Sequence, residues 1–343
     1  MKICVVTLCE AVNHGAFLQA YAMKKYLEEK GHEVFFLKTY SWKMVKTMLR
    51  SLFSYNPKKW TFKRDFRKSY RYAQSLLKKT TRKNGYDMVV IGSDEVWQLR
   101  NSTAAPKEEF FGLGFDAPII ISYAACSNNT QESDIAKNDF VKKGLERCRY
   151  LSVRDDRTYE VYANVAGKQL SKVLDPTFLV DWEKEIIGCK APKEPYMLVY
   201  TYGFGEDKIE NVKAYAKAKG LKLISFGSKF DWCDDSCAGT AFDFLNYIRH
   251  AECVVTDTFH GSILSLQQKK DLFIYGYKQK VNQVIKQFEL EQRNLNAEDS
   301  LLERDAVRID YDRVFEIVER EKTKSFDFLQ TALNEAEKEK ERC

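Results

Sequence analysis

The sequence predicts two α/β domains built on doubly wound parallel sheets, and three observations carry that expectation. The chain has 343 residues, 44% of them hydrophobic, enough for a packed interior and long for one average domain. Apolar segments alternate as strand, helix, strand from the first residues onward. A charged, proline-containing stretch near residues 182–195 then precedes a second run of the same alternation. The expected division is 1–185 for an N-terminal α/β domain, 190–309 for a C-terminal one, and 310–343 for a helical tail. The last dozen residues of that tail, rich in Glu and Lys, should be solvated or frayed.

Taken in order, KICVVTL reads as a buried strand, GAFLQAYAMKKYLEEKG as a helix ending at Gly31, and HEVFFLKTY as the next strand. YDMVVIGSDEVW and PIIISYAACS each supply a buried strand running into small polar residues. YLSVRDD ends a short strand at Arg154 and Asp155, and KVLDPTFLV reads as a strand capped by Asp175 and Pro176. The second half repeats the theme with YMLVYTYG, a helix near 206–219, KLISFGS, a helix near 241–250, ECVVTDTFHG, the helix SILSLQQ, and DLFIYG.

Composition excludes several classes. A net charge of +6 with 13% aromatic residues is ordinary globular composition, not disorder. No apolar run reaches the roughly 18 to 20 residues that cross a bilayer, and Glu10, Asn13 and His14 interrupt the start before a signal-peptide core is complete, so a soluble cytoplasmic protein is expected. The nine cysteines are odd in number, and several sit in apolar contexts that suit reduced, buried thiols. Cys233 and Cys237 lack a second Cys/His pair at ligand spacing, so no metal is expected.

The charge is unevenly spread. Residues 38–83 hold 15 Lys and Arg against the single acid Asp65, interleaved with aromatic and large apolar side chains. Such a segment suits the anionic inner face of a membrane, where each Lys or Arg contributes on the order of 1 kcal/mol. It equally suits a helical insertion packing its apolar stripe on its own domain. Nucleic acid is not expected, because no recognisable binding motif accompanies the patch.

Candidate chemistry lies at the carboxyl ends of the strands. In ECVVTDTFHGSILSL, Asp257 ends a strand and His260 enters a helix whose amides near Gly261 and Ser262 form an anion site. His260 there can bind the anion or transfer a proton. Arg154 offers a planar fork for carboxylate or phosphate, or pairs with Asp155 or Asp156. Asp94 and Glu95, directly after a strand, can accept a hydroxyl proton or cap a turn, and Asp175 has the same two readings. Asn13, His14 and Gly15 occupy the first strand-to-helix turn, where glycine permits close approach. No GxGxxG or phosphate-loop motif is present, which argues against a dinucleotide or Mg-ATP enzyme of those kinds.

NHGAFLQAYA, GSDEVW, ISYAAC, LSVRDD, DPTF and VVTDTFHGSILSL occur in that order over roughly residues 3–275, and together they resemble the polysaccharide pyruvyl transferase family. The resemblance implies two Rossmann-like domains in a glycosyltransferase-B-like arrangement, with the active site in the interdomain cleft. It implies transfer of the pyruvyl group of phosphoenolpyruvate to two hydroxyls of a sugar, in a polysaccharide or its lipid-linked precursor. The product would be a cyclic ketal and the by-product phosphate, a reaction of exopolysaccharide or cell-wall biosynthesis needing no cofactor beyond the donor. By that resemblance His260 and Arg154 match the donor-site histidine and arginine, with Gly261 and Ser262 beside them. Asp94 is the candidate base, and Asn13, His14, Gly15, Glu95, Trp97, Asp175 and Asp257 are assigned to the acceptor side or the cleft wall. The competing readings are a nucleotide-sugar glycosyltransferase of the same frame and a non-enzymatic membrane or polyanion-binding module.

Overall fold

A computed structural model describes residues 1–39, 60–100, 107–296 and 298–342. Its first sheet contains β1 (Lys2–Val6), β2 (Glu33–Leu37), β3 (Lys79–Thr80), β4 (Met88–Ile91) and β5 (Ile119–Ser122), ordered β3-β2-β1-β4-β5 with every pair parallel. A two-stranded parallel sheet of β6 (Leu151–Val153) and β7 (Leu170–Lys172) continues it through the bridges Ile121↔Tyr150 and Ala125↔Val153. The second sheet contains β8 (Tyr196–Tyr200), β9 (Lys222–Phe226), β10 (Asp235–Cys237), β11 (Cys253–Thr256) and β12 (Asp271–Ile274), ordered β10-β9-β8-β11-β12 and again parallel. Both sheets thus wind outward from their first strand in the same way. The central strands MVVI, IIIS and CVVT are buried along their whole length, as β-branched runs covered on both faces should be.

The helices that cover these sheets are α1 (His14–Glu29), α2 (Trp60–Ser75), α3 (Phe140–Arg147), α4 (Asp156–Ala166), α5 (Glu206–Lys219), α6 (Ala241–His250), α7 (Phe259–Gln267), α8 (Gln279–Gln287) and α9 (Tyr311–Arg342). The lobes meet where α1 packs on α6, with Phe17 and Tyr21 edge-on to Phe242 at 5.9 and 5.1 Å. Lys25 adds a 2.8 Å ion pair to Glu185.

Two elements differ from the sequence expectation. The strand placed at KVLD lies earlier, at Leu170–Lys172, because Asp175 caps a short 3₁₀ turn at Pro176–Phe178 instead of extending the sheet. The charged tail stays helical to Arg342: residues 337–342 are largely exposed, as expected, but Ala332, Leu333 and Ala336 of the last dozen are buried. Its apolar residues recur at helical spacing, and α9 buries Val314, Ile317 and Val318 near the second lobe, then Leu329, Ala332, Leu333 and Ala336 against the first. Leu174 donates its amide to Ser325 Oγ at 2.9 Å, and Arg149 pairs with Glu335 at 2.7 Å, so the helix straps the lobes together.

Residues 40–59 of the basic segment lie outside the described residues. In α2, the inner face packs as the insertion reading expects. Phe66 lies edge-on to His14 at 5.5 Å, Ser69 donates to the Ala238 carbonyl at 2.8 Å, and Gln74 donates to the Cys9 carbonyl at 2.8 Å. The outer face leaves Trp60 and Tyr72 exposed beside Lys68 and Arg71. Among the described residues, no helix is long and apolar enough to cross a membrane.

Candidate functional site

The carboxyl ends of both sheets contribute to one cleft, the crevice in which doubly wound folds place ligands. The first lobe brings the turn after β4 (Ser93, Asp94, Glu95), Arg154 after β6 and Asp175 after β7. From the second come Asp257 after β11, His260 in the first turn of α7, Lys278 in the loop after β12, and Lys280 in the first turn of α8.

Asp175 is the centre of this constellation. Its Oδ1 accepts from the Thr177 amide at 3.1 Å and the Thr177 hydroxyl at 2.9 Å, which fixes the carboxylate. Its Oδ2 accepts from Arg154 Nη1 at 2.9 Å and from Ser93 Oγ at 3.3 Å, and lies 3.7 Å from His260 Nε2. Burial alone would raise the Asp175 pKa, but His260, Arg154 and the Thr177 amide outweigh it and hold the carboxyl well below its ordinary range. Arg154 is buried, with its guanidinium 3.9 Å over the Phe259 ring and Nη2 3.7 Å from Asp94 Oδ1. Burial opposes its charge, yet Cys126, Asp175, Asp94 and Asp155 raise its pKa further, so the cation is held firmly. His260 Nε2 is buried with no hydrogen-bond partner.

Gly15 explains how the first lobe reaches this histidine. A Cβ there would lie 2.2 Å from His260 Cγ, so only a glycine lets α1 approach the imidazole. Asn13 caps α1 by accepting from the Gly15 amide at 2.7 Å and the Ala16 amide at 3.2 Å, while its Nδ2 donates to the Tyr202 hydroxyl of the other lobe. Asp94, at φ 72°, is wired to the same centre: its amide donates to Ser93 Oγ at 2.6 Å. Glu95 pairs with Lys280 across the cleft at 2.7 Å.

Several expected site residues lie elsewhere or act otherwise. Trp97 is fully buried in the first lobe, stacked on Phe111 and donating its indole N–H to the Phe110 carbonyl at 3.0 Å, so it is a core residue and not a cleft liner. His14 points away from His260 into an aromatic nest of Phe66, Phe226 and Phe244, with Nε2 3.2 Å from the Gly239 carbonyl. Burial lowers its pKa to about 4, against weaker opposing effects of the Gly239 carbonyl and Asp243. Gly261 and Ser262 do not offer free amides. Thr258 takes both, the Gly261 amide on its Oγ1 at 3.0 Å and the Ser262 amide on its carbonyl at 3.1 Å, as a helix N-cap does. Among the described residues the unpaired donors at this helix mouth are the amides of Phe259 and His260. Asp257 lies beneath the cleft wall with no exposed surface, holding Lys278 at 2.8 Å and accepting from the Tyr277 hydroxyl.

Sequence reasoning missed Lys278, Lys280 and Tyr202. Their signal was present: YGYKQK and TYG directly follow strands whose carboxyl ends form a ligand crevice.

Two parallel, doubly wound lobes with a polar cleft at their opposed strand ends define a glycosyltransferase-B-like protein. The S. aureus MnaA–UDP co-structure has this fold, matching 94% of this chain and 90% of its own at 12% identity and a TM-score of 0.50. The UDP-GlcNAc 2-epimerase from Neisseria meningitidis bound to UDP-GlcNAc (95% and 94% covered, 9% identity, TM-score 0.49) and the glycosyltransferase SnogD from Streptomyces nogalater (97% and 98%, 12%, 0.45) are further similar structures. No curated protein matches the chain by sequence. The family model for polysaccharide pyruvyl transferase matches residues 13–279, most of the chain and every cleft residue named above except Lys280. The chain belongs to the polysaccharide pyruvyl transferase family, and it is a pyruvyl transferase enzyme of polysaccharide biosynthesis.

Proposed function

We propose that the donor is phosphoenolpyruvate and that the enzyme forms a cyclic ketal on two hydroxyls of a saccharide acceptor. The observation carrying this reading is the buried, unpartnered His260 Nε2 beside Asp175, with Arg154 held by the same carboxylate.

Arg154 and the amides of Phe259 and His260 favour the donor's carboxylate and phosphate. His260, with Asp175 as counter-charge, delivers a proton to the enol methylene carbon, and the neighbouring carbon becomes electrophilic. One acceptor hydroxyl adds there, losing its proton to Asp94. The C–O bond to phosphate then breaks, and the second hydroxyl closes the ketal. One of the two hydroxyl protons replaces that spent on the methylene carbon, and the other leaves with phosphate, so the exchange balances. The outer face of α2 favours an anionic leaflet, which would suit a lipid-linked acceptor on the inner face of the membrane.

The test is incubation with phosphoenolpyruvate and candidate saccharides, reading phosphate release and the product mass. Phosphate should appear once per ketal formed, and His260→Ala should lower turnover by about 10² to 10⁴. Near-normal transfer by that variant would refute the assignment.

A further inference from the structure

Beside the donor cleft, on the rim of the second lobe, tyrosine rings and lysine ammoniums alternate. Lys278 Nζ lies 5.0 Å from the ring centroids of both Tyr202 and Tyr277. Lys208 Nζ, from the first turn of α5, lies 4.3 Å from the Tyr277 centroid and 4.7 Å from that of Tyr275. Tyr275 is buried, but Tyr202 and Tyr277 are 65% and 58% exposed, among the largest exposures of any aromatic side chain in the described residues. The ladder starts at the cleft itself, since Tyr202 receives the Asn13 side-chain amide and Lys280, two residues beyond Lys278, pairs with Glu95.

Its charges are unequally compensated. Asp257 neutralises Lys278 at 2.8 Å, whereas Lys208 has no carboxylate within ion-pair distance among the described residues, although Glu206 and Asp207 precede it. Exposed tyrosine faces suit the apolar C–H face of a pyranose, and the Lys208 ammonium beside Tyr277, which no carboxylate pairs directly, suits an anionic substituent on that ring.

We propose that the Tyr202–Lys278–Tyr277–Lys208 ladder is the acceptor subsite, and that it selects a saccharide unit carrying an anionic group, either a phosphate ester or a carboxylate. This rests on the pyruvyl-transfer reading above. The rings fix the plane of the sugar at the cleft mouth, and Lys208 reads its charge, while Asp94 and His260 face the hydroxyls to be bridged. Tyr202, Tyr277 and Lys208 are therefore specificity-determining residues.

Titration of the full-length protein with glucose 1-phosphate, glucuronate and methyl glucoside tests this, with phosphoenolpyruvate as a separate titrant. Wild type should bind at least one of the two anionic sugars about tenfold or more tighter than methyl glucoside, and the tighter of the two identifies the anion. Lys208→Met should remove that preference, and Tyr277→Leu should weaken every sugar. Lys208→Gln, which keeps a polar chain, guards against loss by misfolding and should behave like Lys208→Met. All variants should bind phosphoenolpyruvate as wild type does. Equal binding of charged and neutral sugars, an unchanged preference in both Lys208 variants, no sugar binding at all, or tighter binding of uridine monophosphate than of any sugar would overturn the proposal. Failure of wild type to bind phosphoenolpyruvate would instead refute the donor assignment.

Discussion

Gly15→Ala is a single-methyl perturbation of the proposed catalytic centre. The added carbon would lie 2.2 Å from His260 Cγ, 2.4 Å from Nδ1 and 2.5 Å from Cβ. Carbon contacts relax only near about 3.5 Å, so the imidazole or the start of α1 must move by roughly 1 Å. A displacement of that size at a reacting group costs about 10² in rate. Stability responds less: overpacking costs about 1–3 kcal/mol, and alanine returns about 0.5–1 kcal/mol in a helix. The variant should therefore stay folded in a urea titration yet lose about a hundredfold in phosphate release from phosphoenolpyruvate. Turnover within threefold of wild type would show that the α1–His260 contact does not position the imidazole.

Other perturbations separate structure from chemistry. Asp175→Asn leaves the buried Arg154 without its nearest counter-charge and should cost about 3–5 kcal/mol by urea unfolding, and a loss below about 1 kcal/mol would contradict the central role given to Asp175. His14 stays neutral in the fold down to about pH 4, whereas the unfolded chain takes up its proton near the ordinary value of 6.5. Stability should therefore fall as pH drops from 6.5 towards 4, by about 3 kcal/mol from His14, and His14→Phe should remove most of that slope, the buried His32, whose pKa is also lowered, supplying a smaller part. A wild-type slope unchanged in the variant would place the proton uptake elsewhere. Sedimentation with anionic liposomes should pull down the protein in a salt-sensitive way, and Trp60→Ala with Lys68→Ala should weaken it; binding indifferent to salt would retire the membrane contact.

The fold was legible because its central strands are continuous β-branched runs and the alternation of elements repeats after residue 195. Arg154, His260, Asp94 and Asp175 were legible as residues at strand ends. What the sequence did not reveal was their wiring. Nothing local tells that Asp175 joins Arg154 to His260, since the three are separated by 21 and 85 positions: Arg154 and Asp175 meet through the pairing of β6 with β7, and His260 reaches them only through the packing of the two lobes. Trp97 and His14 misled for the opposite reason, each lying next to cleft residues in sequence while its side chain turns into a core. Gly261 and Ser262 misled because Thr258, an N-cap inside the same motif, already takes their amides. The burial of α9 depended on a partner surface on the first lobe that a charge-rich helix does not announce.

Calorimetric titration of phosphoenolpyruvate into wild type, Arg154→Ala and His260→Ala addresses the central claim most directly. One donor site should appear in the wild type, with affinity reduced by about tenfold or more in each variant, as loss of a charge-assisted contact requires. Undiminished binding by both variants, or binding of UDP-glucose in place of phosphoenolpyruvate, would contradict it.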